Sequence, residues 1–363
     1  MGTSVTFKRG VKAIDLFCGV GGLTCGLQEA GIRVVAGFDN DSSCRFAFSE
    51  NNNSQFIETD VRSIDAERLN KIWGPANVRI LAGCAPCQTF SQHTKKMKNR
   101  EKDERWGLLY SFLRLVKETS PDIVTMENVP QLRSQKVFLD FVKGLKTAGY
   151  TVSHKVVYCP RYGLPQRRSR LVLLASKYGD ISLIPETHEP SNYVGVRDAI
   201  GDLEQINDGE INPRDPLHRT WKLSPINKKR MIQSRPGGSW KEWDEELQLA
   251  CHKKTSGSTY KSVYGRMDWN KPAPTITTQF YNFGTGRFGH PEQNRSLSLR
   301  EGALLQTFPE DYAFFSKGEE FFIRVIGKHI GNAVPVKLGE IIGKSIIVHL
   351  EKNGVRRCLK QKK

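Results

Sequence analysis

At 363 residues the chain has length for one large domain or two, and its net charge of +17, with a pI near 9.5, is too basic for an even scatter of surface charge. Such a field favours polyanions, nucleic acid before anionic membrane, although a generally basic soluble enzyme would carry it too. No apolar run approaches the roughly 18 residues of a membrane span, the first residues lack a signal-peptide core, and eight cysteines without two paired CxxC units suit reduced cytoplasmic thiols better than a disulfide frame or structural zinc.

After a polar lead-in, Val11–Phe17 reads as a strand and Leu23–Ala30 as a helix stopped by Gly31. Strands at Val34–Phe38 and Ser54–Glu58 follow, with helices around Cys44–Ser49 and Ala66–Trp73. Val78, Ile80, Leu81 and Ala82 form a short buried strand that leads into Gly-Cys-Ala-Pro-Cys-Gln-Thr-Phe-Ser at 83–91. Beyond it, Leu108–Thr119 is helical, Asp122–Met126 a strand and Val137–Ala148 a helix with one apolar face. Thr151–Tyr158 and Leu171–Ala175 are strands able to pair antiparallel at an edge. Strand and helix alternating at this spacing predict an α/β fold, a doubly wound, mostly parallel sheet of seven strands. Residues 181–295 lose the periodicity and hold four of the six tryptophans, which predicts a second, smaller, irregular domain. The expected division is 11–180, 181–295 and a return segment, 296–351, ending in a helix over Val334–Leu350.

Each candidate site follows a strand end, where such sheets do chemistry. Gly19, Gly21 and Gly22 let a backbone approach a ligand, but without GxGxxG spacing no phosphate cradle is implied, and a plain tight turn is the alternative. Asp39 and Asp41 lie where an acid commonly binds a ribose diol, and Asp60 is placed for an adenine amine. Acids without a basic residue suggest a cofactor with ribose and adenine but no phosphate, S-adenosylmethionine; ordinary N-capping is the alternative. Cys87 reads as a buried structural thiol, a redox partner of Cys84, or a nucleophile beside Pro86. Glu127 ends the next strand, and Arg168 and Arg170, at i and i+2, point the same way if extended. The loop 92–107 carries six basic residues, Lys95 and Lys96 among them, as a lid over phosphates would.

Eight blocks stand in one order: DLFCGVGG at 15–22, FDND at 38–41, TD at 59–60, PCQTFS at 86–91, ENV at 127–129, QRRSR at 166–170, RSLSLREGALLQTFP at 295–309 and GNAVPV at 331–336. On these the chain resembles the cytosine-C5 DNA methyltransferases of bacterial restriction–modification systems over nearly its whole length. Ala85 stands where many members carry Pro or Phe, and Asp39 where Glu is common. The resemblance implies that Cys87 attacks C6 of a cytosine flipped from double-stranded DNA, that Glu127 holds N3 and the exocyclic amine, and that Arg168 helps orient this carboxylate with Arg170 in support. It implies cofactor contacts from Phe17, Gly19, Val20, Gly22, Asp39, Asn40, Asp60, Pro86, Leu108, Asn332 and Ala333. It gives the loop 92–107 the role of closing over the flipped base and Thr285 a contact to that nucleotide's backbone. Sequence reading falls to roughly 180–290. A monomer acting in the cytoplasm, alongside a cognate restriction endonuclease, completes the expectation.

Three rivals stand beside it. One family branch methylates tRNA, but its Cys-Phe-Thr signature is absent, 278–281 reading Thr-Gln-Phe-Tyr. A silent DNA-binding regulator would not need Pro86-Cys87 and Glu127-Asn128-Val129. A thiol oxidoreductase would need Cys84, so Cys84→Ala is expected to spare a methyltransferase and cripple a redox enzyme.

Overall fold

The computed structural model describes residues 10–86, 107–254 and 263–355. They divide into two compact units. One comprises Met1–Tyr158, Ser169–Glu186 and Val334–Lys363, the other Cys159–Arg168 and Thr187–Ala333. By this division the block 296–333 groups with the second unit, and the return to the first begins at Val334 rather than at 296.

The first unit is built on seven strands: β1 (Val11–Leu16), β2 (Arg33–Asp39), β3 (Gln55–Glu58), β4 (Val78–Gly83), β5 (Ile123–Asn128), β6 (Thr151–Tyr158) and β7 (Ser169–Ser176). Their order is β3-β2-β1-β4-β5-β7-β6. The β1–β2, β1–β4, β2–β3 and β4–β5 pairs are parallel. Only β7 runs against its neighbours, because it returns directly from β6 as a hairpin partner, Thr151 opposite Ser176 and Tyr158 opposite Ser169. The chain reverses at β1, which sends β2 and β4 to opposite sides and opens the crevice where such sheets bind ligands. Five helices, α1 (Gly22–Glu29), α2 (Arg45–Asn51), α3 (Ala66–Trp73), α4 (Gly107–Thr119) and α5 (Lys136–Thr147), connect the strands.

All six residues of β5 are buried, and β1 and β4 are nearly so, as covered parallel strands require. Yet β5 ends in Glu127 and Asn128, both 2% exposed. Polar groups in such a place must be bonded, and they mark the sheet edge as more than packing.

The C-terminal helix, Val336–Lys352, lies close against α1 where glycines face it. A Cβ on Gly26 would sit 2.2 Å from the Val336 carbonyl oxygen, and one on Gly343 2.5 Å from the Ala30 Cβ. His349 joins Ser176 at 2.8 Å, and Ser345 accepts from the Ile184 amide, fixing the far end of the helix to β7 and the segment after it.

The second unit has little regular structure: short helices at Val196–Ile200, Pro225–Gln233, Leu299–Leu305 and Ile323–Asn332, and a two-residue ladder of Gln166–Arg167 with Ala273–Pro274. The helix over Ile323–Asn332 is absent from the sequence reading. Buried arginines take the place of a sheet. Arg266 donates to the carbonyls of Ser234, Met231, His290 and Gln293 at 2.7–3.0 Å. Arg295 forks onto Glu301 at 2.7 and 2.8 Å, with both side chains 1% exposed. Met231, Trp240, Trp243, Leu247 and Phe283 make a separate apolar cluster.

Candidate active site

The turn after β1 is held in an unusual backbone. Phe17, Gly19 and Gly21 have φ of 61°, 51° and 93°. Glycine accepts this region freely, whereas for Phe17 it costs on the order of 1 kcal/mol or more, a strain typical of ligand sites. Asp39 fixes the turn from β2: its two oxygens accept the Gly19 amide at 2.8 Å and the Asp41 amide at 2.9 Å. Burial raises the Asp39 pKa, and these amides oppose the rise.

Phe17, Asp39 and Asn40 line an open cleft at the carboxyl edge of the sheet. Asp60, Pro86 and Leu108 line it as expected, joined by Thr59 of the TD block and by Val61 and Arg62, which the sequence reading did not name. Arg62 corrects the premise that no basic residue stands here. Its guanidinium is committed to Asp60, at 2.7–3.1 Å, and lowers the Asp60 pKa. The signal was available: Asp60 caps a turn over Val61–Ser63 through the Arg62 amide, which carries the Arg62 side chain back over its cap. Gly19, Val20 and Gly22 shape the turn and the start of α1 rather than the cleft wall. Asn332 and Ala333 end the last helix of the second unit.

Asp15 is a further group missed by the sequence reading. It is fully buried, accepts from the Thr24 hydroxyl at 2.8 Å and leaves Oδ1 without a donor. Burial first, then the nearby Asp39 charge, push its pKa up to about 7 against the Thr24 hydrogen bond.

The second group of residues sits where β4 and β5 end together. The register pairs Gly83 with Met126, so Cys84 follows at the level of Glu127. The Cys84 thiol donates to Glu127 Oε2 at 2.8 Å, and Arg170 Nε lies 2.9 Å from Oε1. Asn128 Nδ2 donates to the Ala85 carbonyl at 2.9 Å, tying the end of β5 to the segment that carries Pro86. Cys87, Lys95 and Lys96 lie outside the described residues.

The arginine that meets Glu127 is Arg170, not Arg168. Val172 stands opposite Glu127 in the β5–β7 ladder, so Arg170 shares its face as a diagonal neighbour. The strand begins only at Ser169, and the Arg168 amide bonds the Gln166 carbonyl in a tight turn, which breaks the expected i, i+2 alternation. Arg168 instead donates to the Ile276 carbonyl at 3.0 Å and the Ala333 carbonyl at 3.4 Å in the second unit. Beside it, Gln166 donates to Leu305 and Gln306, locking the QRRSR block to the late block.

In the second unit Thr285 is exposed, ending a turn over Phe283–Thr285 that Asn282 caps. Asn282 also lines a cleft with Trp221, Lys222 and Asn227. Trp221 is 40% exposed, with the Arg324 guanidinium 5.5 Å from its ring.

A strand-end carboxylate between a thiol donor and a guanidinium, the neighbouring Asn128 tied to the segment that carries Pro86, and a separate acidic cleft invite comparison with known proteins. The family model for C-5 cytosine-specific DNA methylases matches residues 11–348. This chain belongs to that family. The Type II methylase M.HgiDII of Herpetosiphon aurantiacus is 52% identical over 341 residues, 93% of this chain and 95% of that protein. The Type II methyltransferase M.Eco47II of Escherichia coli is 31% identical over 350 residues, 93% of this chain and 79% of that protein. Among solved structures, Entamoeba histolytica methyltransferase EhMeth aligns with a TM-score of 0.65 at 16% identity, covering 94% of this chain and 99% of that one. That likeness speaks for the fold. The protein is a DNA cytosine-C5 methyltransferase, and no helix among its described residues is long and apolar enough to cross a membrane.

Proposed function

We propose that this methyltransferase modifies cytosine in a specific double-stranded DNA sequence through a covalent Cys87 intermediate, as the protective partner of a restriction endonuclease. The observation that carries the reading is the Asn128–Ala85 hydrogen bond, which holds Glu127 beside the segment leading into Cys87. Two relatives named Type II enzymes, at 52% and 31% identity, support the restriction–modification setting. A monomer in the cytoplasm fits an enzyme that modifies one strand at a time.

The cleft suits S-adenosylmethionine. Asp39 and Asp60 offer acceptors for hydroxyl and amine donors, Phe17, Pro86 and Leu108 offer apolar surface, and the Arg62 charge is taken up by Asp60. When bound, this cofactor supplies the methyl group as an electrophile for C5.

The chain's own residues supply the rest. The base leaves the duplex, because C6 is covered within the stack. The Cys87 thiolate adds to C6, and the electron pair of the C5–C6 double bond moves into the ring, making C5 nucleophilic. Glu127 accepts from the exocyclic amine and relays a proton to N3 as negative charge develops there, a proton that leaves again when the double bond re-forms, and the Arg170 guanidinium beside the carboxylate supplies charge. After methylation a water takes the C5 proton, the double bond re-forms, the S–C6 bond breaks and the thiolate returns. In the second unit, Thr285 and the cleft around Trp221 and Asn282 face the task of binding DNA; Lys95 and Lys96 would add phosphate contacts.

The test is methylation of whole-plasmid DNA with S-adenosylmethionine, read by bisulfite sequencing. Wild type should protect cytosines in one recurring short motif, Cys87→Ser none, and Glu127→Gln should lower kcat by about a hundredfold. Methylation of tRNA and not of DNA would refute the reading.

A further inference from the structure

Cys84 has no place in the mechanism above, and the sequence reading left it as a dispensable thiol. The structure places it against the carboxylate on which the mechanism depends. Cys84 is the first residue past β4, and the β4–β5 register brings it level with Glu127. The Sγ–Oε2 distance is 2.8 Å.

A carboxylate that is 2% exposed needs donors, and it has few. Arg170 Nε is 2.9 Å from Oε1, yet among the described residues no donor is aligned on that oxygen as a hydrogen bond, so Arg170 supplies charge rather than direction. The thiol is therefore the aligned donor on this side chain. A thiol is an ordinary weak donor, but an ionised acceptor strengthens such a bond, and its direction fixes the side-chain rotamer.

We propose that Cys84 is a positioning residue for Glu127. Its S–H holds Oε2 so that the carboxylate is oriented before a base arrives, while the buried, undirected Oε1 is left for the exocyclic amine of the incoming cytosine. Each carboxylate oxygen accepts two hydrogen bonds, so the thiol does not block a base from meeting both oxygens. The proposal rests on Glu127 as the cytosine-contacting group, and it reverses the expectation that Cys84→Ala spares the enzyme.

Two measurements test it. In steady-state methylation, Cys84→Ala should lower kcat roughly tenfold, the lower bound for a hydrogen bond to a charged group, with the KM for S-adenosylmethionine unchanged. Cys84→Ser, which keeps a donor, should recover most of that loss. Equal kcat for Cys84→Ala and wild type, or a Cys84→Ser variant as slow as Cys84→Ala, would overturn the proposal. The second readout needs no activity. The infrared S–H stretching band that Cys84→Ala removes should be shifted to lower frequency in wild type and move back in Glu127→Gln. A band indifferent to Glu127→Gln would overturn it. A wild type inactive on DNA, with the band shift present, would refute the proposed mechanism and leave the Cys84–Glu127 contact standing.

Discussion

The two units of this protein hold their backbones in opposite ways. In the first, carbonyls and amides pair in a seven-stranded ladder, and the strands bury apolar side chains such as Ile14, Leu81 and Met126. In the second, few backbone groups meet in ladders; many pair within turns and loops, and buried arginines take up others. Arg266 alone serves four carbonyls. A guanidinium has five N–H donors in a rigid fork, so one side chain can replace several ladder bonds. This allows a surface whose loops are free of strand or helix geometry, which suits the reading of a nucleic acid. The cost is reliance on buried charge.

The largest break in this contrast should come from Arg295→Ala, which strands Glu301 in a site 1% exposed. A loss of about 3–5 kcal/mol is expected in chemical denaturation. Arg295→Leu combined with Glu301→Leu should recover much of it if apolar packing can substitute for the pair. In the first unit the corresponding weak point is steric. Gly26→Ala puts a methyl 2.2 Å from the Val336 carbonyl and must part α1 from the C-terminal helix, at about 1–3 kcal/mol in the same assay.

The sharpest discriminator is pH. Burial lowers the His290 pKa to about 4 against the attraction of Glu301. For Glu301, burial acts upward, but Arg295 outweighs it and the pKa falls to about 2. Both folded values lie below the unfolded ones. The second unit should therefore lose stability as pH falls, through His290 from about 6.5 to 4 and through Glu301 from about 4.5 to 2. Asp15 has the opposite sign: its folded value, about 7, lies above the unfolded 3.8, so the first unit loses stability as pH rises between these limits. Each slope is roughly 1 kcal/mol per pH unit. Hydrogen exchange from pH 4 to 7 should show protection moving in opposite directions in the two units, and Asp15→Asn should flatten the first. Parallel slopes would mean that the buried charges do not govern the difference.

Most of the first unit was legible because its rules are local. Apolar runs of four to eight residues gave the strands, helical spacing gave α5, and the adjacency of β6 and β7 gave the one antiparallel hairpin. Asp39 and Asp60 were read from their places at strand ends, whereas Phe17 and Pro86 were expected only from the family resemblance; all four line the cleft. Arg62 was missed because its role comes from a capping turn. The helix Ile323–Asn332 was missed because the reading followed the motif at 331–336 and not the pattern before it.

The sequence by itself determined the family, a mostly parallel sheet of seven strands, and the types of residue at its carboxyl edge, since these depend on composition and spacing along the chain. Tertiary structure decided which arginine meets Glu127, that Cys84 stands beside it, and that Asp15 is sealed from water. Those outcomes depend on register between strands distant in the chain, where a shift of one residue sends a side chain to the other face.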